Sequence, residues 1–224
     1  MLKRQIAVGD IHGCFGLLKT LIKKIIRFTP DEDMLIFMGD YIDRGKKSKE
    51  VVQYLGALKE KHPDNVILLK GNHEDLAYTA LTVPDPGKEM IFWRLNGGTE
   101  TIISFSGINN SREYLLPFIE SLQLYYESDT HIFVHAGIPG GKELSTATTE
   151  ELLWDRDFSY DGEKTLVVGH TAGSEVTNFK HGKIICVDTG AYMTGILSAY
   201  DVINDKVYST EARNRYGSDP LPIS

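Results

Sequence analysis

Apolar residues in this chain are bunched into short runs that end in polar, glycine-bounded turns. Gln5 to Val8, Met34 to Met38 and Val66 to Leu69 each have the length of a buried strand. They stop at Gly9-Asp10-Ile11-His12-Gly13, at Gly39-Asp40-Tyr41-Ile42-Asp43-Arg44-Gly45 and at Lys70-Gly71-Asn72-His73-Glu74. Between the runs the period lengthens to that of a helix. Phe15 to Phe28 carries Leu18, Leu21, Ile22, Ile25 and Ile26 on one stripe with Lys19, Lys23 and Lys24 off it. Ser48 is placed to cap a helix whose apolar face is Val51, Val52, Leu55 and Leu58 and which closes before Pro63. A repeated strand-loop-helix unit predicts an α/β fold.

From Asp75 to about Leu122 the pattern is mostly helical, broken at Val83-Pro84-Asp85-Pro86-Gly87 and at Asn96-Gly97-Gly98-Thr99, with a further helix starting at Ser111 and containing Pro117. Beyond it the chain turns strand-rich: Leu124 to Tyr126, His131 to Val134, Thr165 to Val168, Lys183 to Val187, Ile196 to Tyr200 and Lys206 to Ser209. The last two predict a hairpin turning at Asn204-Asp205. Helices early and strands late predict two packed mixed sheets flanked by helices, an α/β/β/α sandwich, followed by a loosely held tail, Arg213 to Ser224. No linker or change of composition divides the 224 residues, so a single domain over 1–224 is expected.

Charge and cysteine content narrow the function. Acidic residues outnumber basic ones by 31 to 24, and no basic cluster is longer than a pair such as Lys23-Lys24 or Lys46-Lys47, which argues against a nucleic-acid backbone as partner. Cys14 and Cys186 are far apart with no CxxC companion, so neither a disulfide framework nor a thiolate zinc site is expected, in keeping with a reducing cytoplasm. The apolar segment behind Lys3 and Arg4 is too short for a signal-peptide core, and no run reaches membrane-spanning length.

Two later runs also end in chemistry: His135 in Val134-His135-Ala136-Gly137 and His170 in Val167-Val168-Gly169-His170. Taken singly, each histidine is more readily a hydrogen-bonded structural residue and Asn72 a turn residue. Taken together, two carboxylates, three imidazoles and an amide gathered beyond strand ends need compensation, and a pair of cations compensates all of them. Oxygen and nitrogen donors without thiolate suit manganese, iron, zinc or magnesium, and a shared carboxylate between two cations is the arrangement of a two-metal hydrolase.

GDIHG, GDYIDRG, GNHE, VHAG and GHT in this order resemble the phosphoprotein phosphatase family of metallophosphoesterases, in its bacterial branch, over Gly9 to about Gly190. The resemblance implies a metal-dependent enzyme that hydrolyses phosphoserine or phosphothreonine in proteins, with phosphotyrosine as a further substrate, by direct attack of a hydroxide held by two metals. It implies that Asp10, His12 and Asp40 hold one divalent cation while Asp40, Asn72, His135 and His170 hold the other, manganese being the first choice. His73 becomes the proton donor, oriented by Asp43, and Arg44 and Arg156 bind phosphate. Lys46 stands where many members have proline, and the C-terminal signature of eukaryotic members is absent. Two rivals remain: a symmetrical dinucleoside tetraphosphate hydrolase, which usually has alanine at the position of Asp43, and a catalytically silent metal-bound scaffold, which tends to lose a ligand or the proton donor. The expected partner is a phosphorylated protein or peptide, with no nucleic acid and no membrane; the oligomeric state is left open.

Overall fold

The early strands are apolar at nearly every position because both of their faces are covered. In the first strand, β1 (Arg4–Val8), Ile6 and Val8 face one core and Ala7 another. In the next, β2 (Asp33–Phe37), Leu35 and Phe37 join the first core and Met34 and Ile36 the second. This period-two division sorts the molecule into layers.

The computed structural model describes residues 2–210, and the tail expected at 213–224 lies outside them. After β1 come α1 (Phe15–Thr20), widening into a π-helical turn over Leu21–Ile26, then β2, α2 (Ser48–Lys61) and β3 (Val66–Leu68). A helical block follows: α3 (Asn72–Thr82), α4 (Gly87–Trp93), α5 (Thr99–Ser104) and α6 (Ile108–Glu120). The second half holds β4 (Tyr125–Glu127), β5 (His131–Val134), α7 (Thr149–Trp154), β6 (Thr165–Val168), β7 (Thr177–Phe179), β8 (Ile184–Cys186), α8 (Ala191–Thr194), β9 (Ser198–Asp201) and β10 (Lys206–Ser209).

Two five-stranded mixed sheets result, ordered β10-β9-β1-β2-β3 and β4-β5-β6-β8-β7. In the first, β1, β2 and β3 are parallel, β9 runs antiparallel to β1, and β10 returns antiparallel to β9 at the edge. In the second, β5, β6 and β8 are parallel between antiparallel edges. The sheets meet through Ala7, Ile36, Met38, Ile67 and Leu69 on one side and Phe133, Val167, Ile185 and Val187 on the other. Helices α1 to α6 cover the outer face of the first sheet, while Ile132, Val134, Leu166, Val168 and Ile184 form the outer core of the second with Leu152 of α7. The α/β/β/α expectation holds.

Register brings the chemistry together. Val8 pairs with Phe37 and Phe37 with Leu68, and in the other sheet Phe133 pairs with Val167 and Val168 with Cys186. The C-terminal ends of these strands therefore lie level, and every loop after them opens on the same edge.

Three details differ from the sequence expectation. Ser48 is the first residue of α2 and caps nothing; its hydroxyl accepts the Asp43 N–H at 3.2 Å and lies 3.1 Å from Thr101 Oγ1. The helix expected from Ser111 begins a turn earlier, at Ile108, after Gly107 at φ 122°. The expected helices missed α7 and α8, and the expected strands missed β7. Among the described residues no helix is long and apolar enough to cross a membrane.

Candidate active site

Six parallel strands deliver the site. Asp10 and His12 follow β1, Asp40 follows β2, Asn72 and His73 open α3 after β3, His135 follows β5, His170 follows β6 and Asp188 follows β8. Their loops are tightly wound: His12, Asp40, Asp43, Arg44 and His170 all have positive φ, between 43° and 69°, although none is glycine. Left-handed backbone at that many side-chain-bearing positions is costly and persists where packing imposes it, as at functional sites. Glycine is required where backbones converge: a Cβ on Gly71 would lie 2.2 Å from Asp40 Oδ1, and one on Gly169 2.3 Å from Asp10 Oδ1.

A cavity of about 270 Å³ opens at this edge. Seven of the ten expected site residues line it: His12, Asp40, Arg44, Asn72, His73, Arg156 and His170. The other three stand behind them. Asp43 backs His73, His135 lies 3.5 Å from Asp40 Oδ1 through Nε2, and Asp10 takes the His170 N–H at 3.0 Å. All ten are brought together.

Asp40 is the centre of the arrangement. Its Oδ2 is 3.4 Å from His12 Nε2 and 3.9 Å from His73 Nε2, and its Oδ1 accepts the His73 N–H at 3.0 Å. Burial opposes its charge, but His135, His73 and His12 outweigh that and hold its carboxyl below the ordinary range. Two triads of donor atoms share it, His12-Asp40-His73 and Asp40-His135-His170, each within 4.8 Å. Asp10 belongs to neither triad.

The donor set fits divalent cations. His12 Nδ1 donates to the Ile42 carbonyl and His135 Nδ1 to the Met38 carbonyl, both at 2.8 Å, so each ring turns an unprotonated Nε2 toward Asp40, the outer bonding that metal-binding imidazoles use. Asn72 Oδ1 stands 3.0 Å from His135 Nε2 and 3.1 Å from His170 Nδ1. An amide oxygen among imidazole lone pairs is stable only with positive charge between them or with the amide turned so that its NH2 donates. Asp10 Oδ1 and His170 Nε2 are buried without a hydrogen-bond partner. Burial holds the His12 imidazole down at about 3, and burial together with His135 does the same for His170, also about 3, so both rings are neutral and able to ligate.

The remaining groups suit a phosphate ester. His73 Nδ1 meets Asp43 Oδ2 at 2.7 Å, and Asp43 also accepts from Thr101 Oγ1 at 2.6 Å and from Trp93 Nε1 at 3.0 Å. Burial opposes a charge on His73, yet Asp40 and Asp43 raise its pKa above the ordinary imidazole value; burial raises Asp43 despite the His73 bond. Both shifts point upward, the direction that favours a proton held between the two. Arg156 Nη1 is fixed by Thr171 Oγ1 at 3.2 Å, and Arg44 Nη1 lies 3.0 Å from His12 Nε2. Glu74 is structural: it accepts the N–H groups of Gly71, Asp40 and Tyr41 at 3.0, 2.8 and 2.8 Å and locks α3 to the Asp40 loop.

Three parts of the site escaped the sequence reading. Asp188 lines the cavity, accepts the Gly190 N–H at 2.8 Å and is pushed up to about 6 by burial and Asp40. It ends an apolar run, the same signal that marked Asp40. Tyr192 places its ring 4.8 Å from Arg44 Cζ and edge-on to His12, centroids 5.4 Å apart. Trp93 and Thr101 reach Asp43 from 50 and 58 residues away with no local signal.

A fold of two facing mixed sheets with this donor set at one edge defines a metal-dependent phosphoesterase. The calcineurin-like phosphoesterase family profile matches residues 3–200, and the chain belongs to that family. Serine/threonine-protein phosphatase 2 of Salmonella typhimurium is 30% identical over 214 residues, covering 87% of this chain and 91% of its own. Among solved structures, a protein serine/threonine phosphatase from Saccharomyces cerevisiae superposes with a TM-score of 0.71 at 20% identity, over 94% of this chain and 80% of that one. A proposed diadenosine tetraphosphatase superposes with a TM-score of 0.67 at 21% identity, over 94% and 95%.

Proposed function

We propose that the chain is a protein phosphatase that hydrolyses phosphoserine and phosphothreonine monoesters, with phosphotyrosine as a further substrate. The observation that carries this reading is the buried His73-Asp43 pair, which faces the cavity beside two arginines. A phosphomonoester dianion needs two cationic forks and a proton for its departing oxygen. Arg44 and Arg156 supply the forks. His73 supplies the proton through Nε2, while Asp43 holds Nδ1 and so fixes the ring's orientation and tautomer. The Salmonella relative supports a phosphoprotein substrate by its name. The silent-scaffold rival is disfavoured because all ten functional groups converge.

Asp10, His12 and Asp40 would hold one divalent cation, and Asp40, Asn72, His135 and His170 the other, with manganese preferred and iron or zinc as substitutes. When bound, the cations supply Lewis acidity to the phosphate oxygens and make water nucleophilic at neutral pH. The protein's own work is to converge these donors, exclude bulk water from the histidines and position the proton. The cysteine usage fits a cytoplasmic setting.

Side-by-side turnover of a phosphothreonine peptide, a phosphotyrosine peptide and diadenosine tetraphosphate by manganese-loaded protein tests the reading. The expected order places the phosphothreonine peptide first. Turnover of diadenosine tetraphosphate with no release of phosphate from either peptide would replace this reading with the tetraphosphatase.

A further inference from the structure

Residues 87–104 turn one face toward the site and another toward water. On the inner face Trp93 and Thr101 bond to Asp43, and the Gly97 carbonyl accepts the Arg44 N–H at 3.1 Å. Contact with Arg44 is so close that a Cβ on Gly97 would lie 2.6 Å from Arg44 N. On the outer face Ile91, Phe92 and Leu95 are 61%, 52% and 80% exposed, and Ile103 is 69% exposed. Ile91 and Leu95 are four apart and Phe92 and Leu95 three apart, the spacings that place helical side chains side by side. Four of the ten large apolar side chains most exposed among the described residues thus fall within one stretch of thirteen. A concentration of this kind marks an interaction surface.

Charge and position select the occupant. On a chain of net charge −7, Arg94 is exposed within this stretch, exposed Lys46 and Lys47 follow Arg44 in the chain, and the Lys49 N–H donates to Ser104 Oγ at 2.9 Å, tying the start of α2 to the end of α5. Leu95 is two residues from Gly97, hence within about 7 Å of it along the chain, and Gly97 rests on the arginine that lines the cavity. The apolar stripe therefore continues outward from the phosphate-binding pocket. A phosphorylated polypeptide is anionic where it carries the phosphate, and exposed Arg44 and Arg94 complement it, whereas a second copy of this chain, at net charge −7, brings no such selective charge.

We propose that Ile91, Phe92 and Leu95 form a docking surface for the substrate polypeptide, receiving apolar side chains that flank the phosphorylated residue, with the neighbouring cations favouring acidic residues nearby. This proposal rests on the phosphatase reading and adds a sequence preference to it. None of the three side chains has a role in the chemistry assigned above, so they separate docking from catalysis.

The test compares the full-length protein with its Leu95→Glu and Phe92→Ser variants on p-nitrophenyl phosphate and on two phosphothreonine peptides, one flanked by leucines and one by glycines. Wild type is expected to favour the leucine-flanked peptide roughly tenfold in kcat/KM, about what one or two buried methylene groups provide. The variants are expected to lose that preference through KM while kcat on peptide and both constants on p-nitrophenyl phosphate stay unchanged. Variants that match wild type on the leucine-flanked peptide would overturn the docking surface alone. A wild type that cleaves diadenosine tetraphosphate and neither peptide would remove the phosphatase reading together with this surface. Sedimentation equilibrium gives the third outcome: a wild-type dimer that Leu95→Glu converts to monomer would assign the face to a second copy and overturn the proposal.

Discussion

Replacing Asp43 by asparagine removes one charge from the interior and keeps the shape. The carboxylate accepts from Thr101 Oγ1 and Trp93 Nε1 and meets His73 Nδ1 at 2.7 Å. An asparagine oxygen keeps the threonine and tryptophan bonds, but its NH2 then faces His73 and donates to Nδ1. The imidazole is left with a single proton on Nε2 and no carboxylate to hold a second. Neutral imidazole is a weak acid, and general acid catalysis contributes roughly a hundred- to ten-thousand-fold, about 3 to 5 kcal/mol of barrier. Asp43→Asn and His73→Asn are therefore each expected to lower phosphoserine peptide turnover by about a hundredfold or more. On p-nitrophenyl phosphate, whose phenolate departs with little help, the loss should stay below about tenfold.

The pH profile carries the same information. His73 is raised, so its proton is fully in place below the ordinary imidazole value and is lost as pH rises through the raised one. Wild-type peptide turnover should fall on that alkaline limb, and Asp43→Asn should move the limb to lower pH. Steady-state rates on both substrates, with metal content checked in each variant, give the answer. Equal losses on the two substrates in metal-replete variants would refute the proton-donor role, because metal loss or misfolding removes the attack on both alike.

Arg44→Lys and Arg156→Lys should each keep the circular dichroism of the parent and lose roughly ten- to a hundredfold in kcat/KM on phosphothreonine peptide, since a charged hydrogen bond is worth about 1.5 to 3 kcal/mol and lysine offers no fork; a fully active Arg156→Lys would take that residue out of the site. Gly97→Ala should destabilise the chain by about 1 to 3 kcal/mol, because φ 103° disfavours a side chain and the new methyl meets Arg44; an unchanged melting temperature would count against the packing described. Asp10 is raised by burial and the neighbouring Asp188, and Asp188 stands at about 6, so the folded metal-free chain holds protons that cations must displace. Manganese binding should therefore release protons and weaken as pH falls through about 6, which calorimetry in buffers of different ionisation enthalpy detects; heats independent of buffer at pH 6 would contradict it.

The ends of strands were legible because each buried strand is a continuous apolar run, and a carboxylate, amide or imidazole directly after it has nowhere to go but the sheet edge. By the same rule Asp188 was available from Ile184 to Val187. The α7 helix was also available, through Thr148 and Glu151, which cap it reciprocally. What could not be read depends on contacts between distant segments. Trp93 and Thr101 look like ordinary members of a helical stretch until the fold places them on Asp43. Edge strand β7 has three residues, none fully buried, and so carries no apolar run. The hydroxyl of Ser48 suggested a cap, but the tertiary bonds to Asp43 and Thr101 took it instead.

The shared role of Asp40 is tested most directly by counting metal. Elemental analysis of manganese-loaded wild type, Asp40→Asn and His12→Asn gives ions per chain. Because Asp40 lies between His12 and His135, at 3.4 and 3.5 Å, its amide variant should lose affinity at both positions, whereas His12→Asn should lose it at one. The expected contents are therefore about two ions for wild type, about one for His12→Asn and well under one for Asp40→Asn at limiting manganese. A full complement in Asp40→Asn would contradict the bridging carboxylate and the two-cation site built on it.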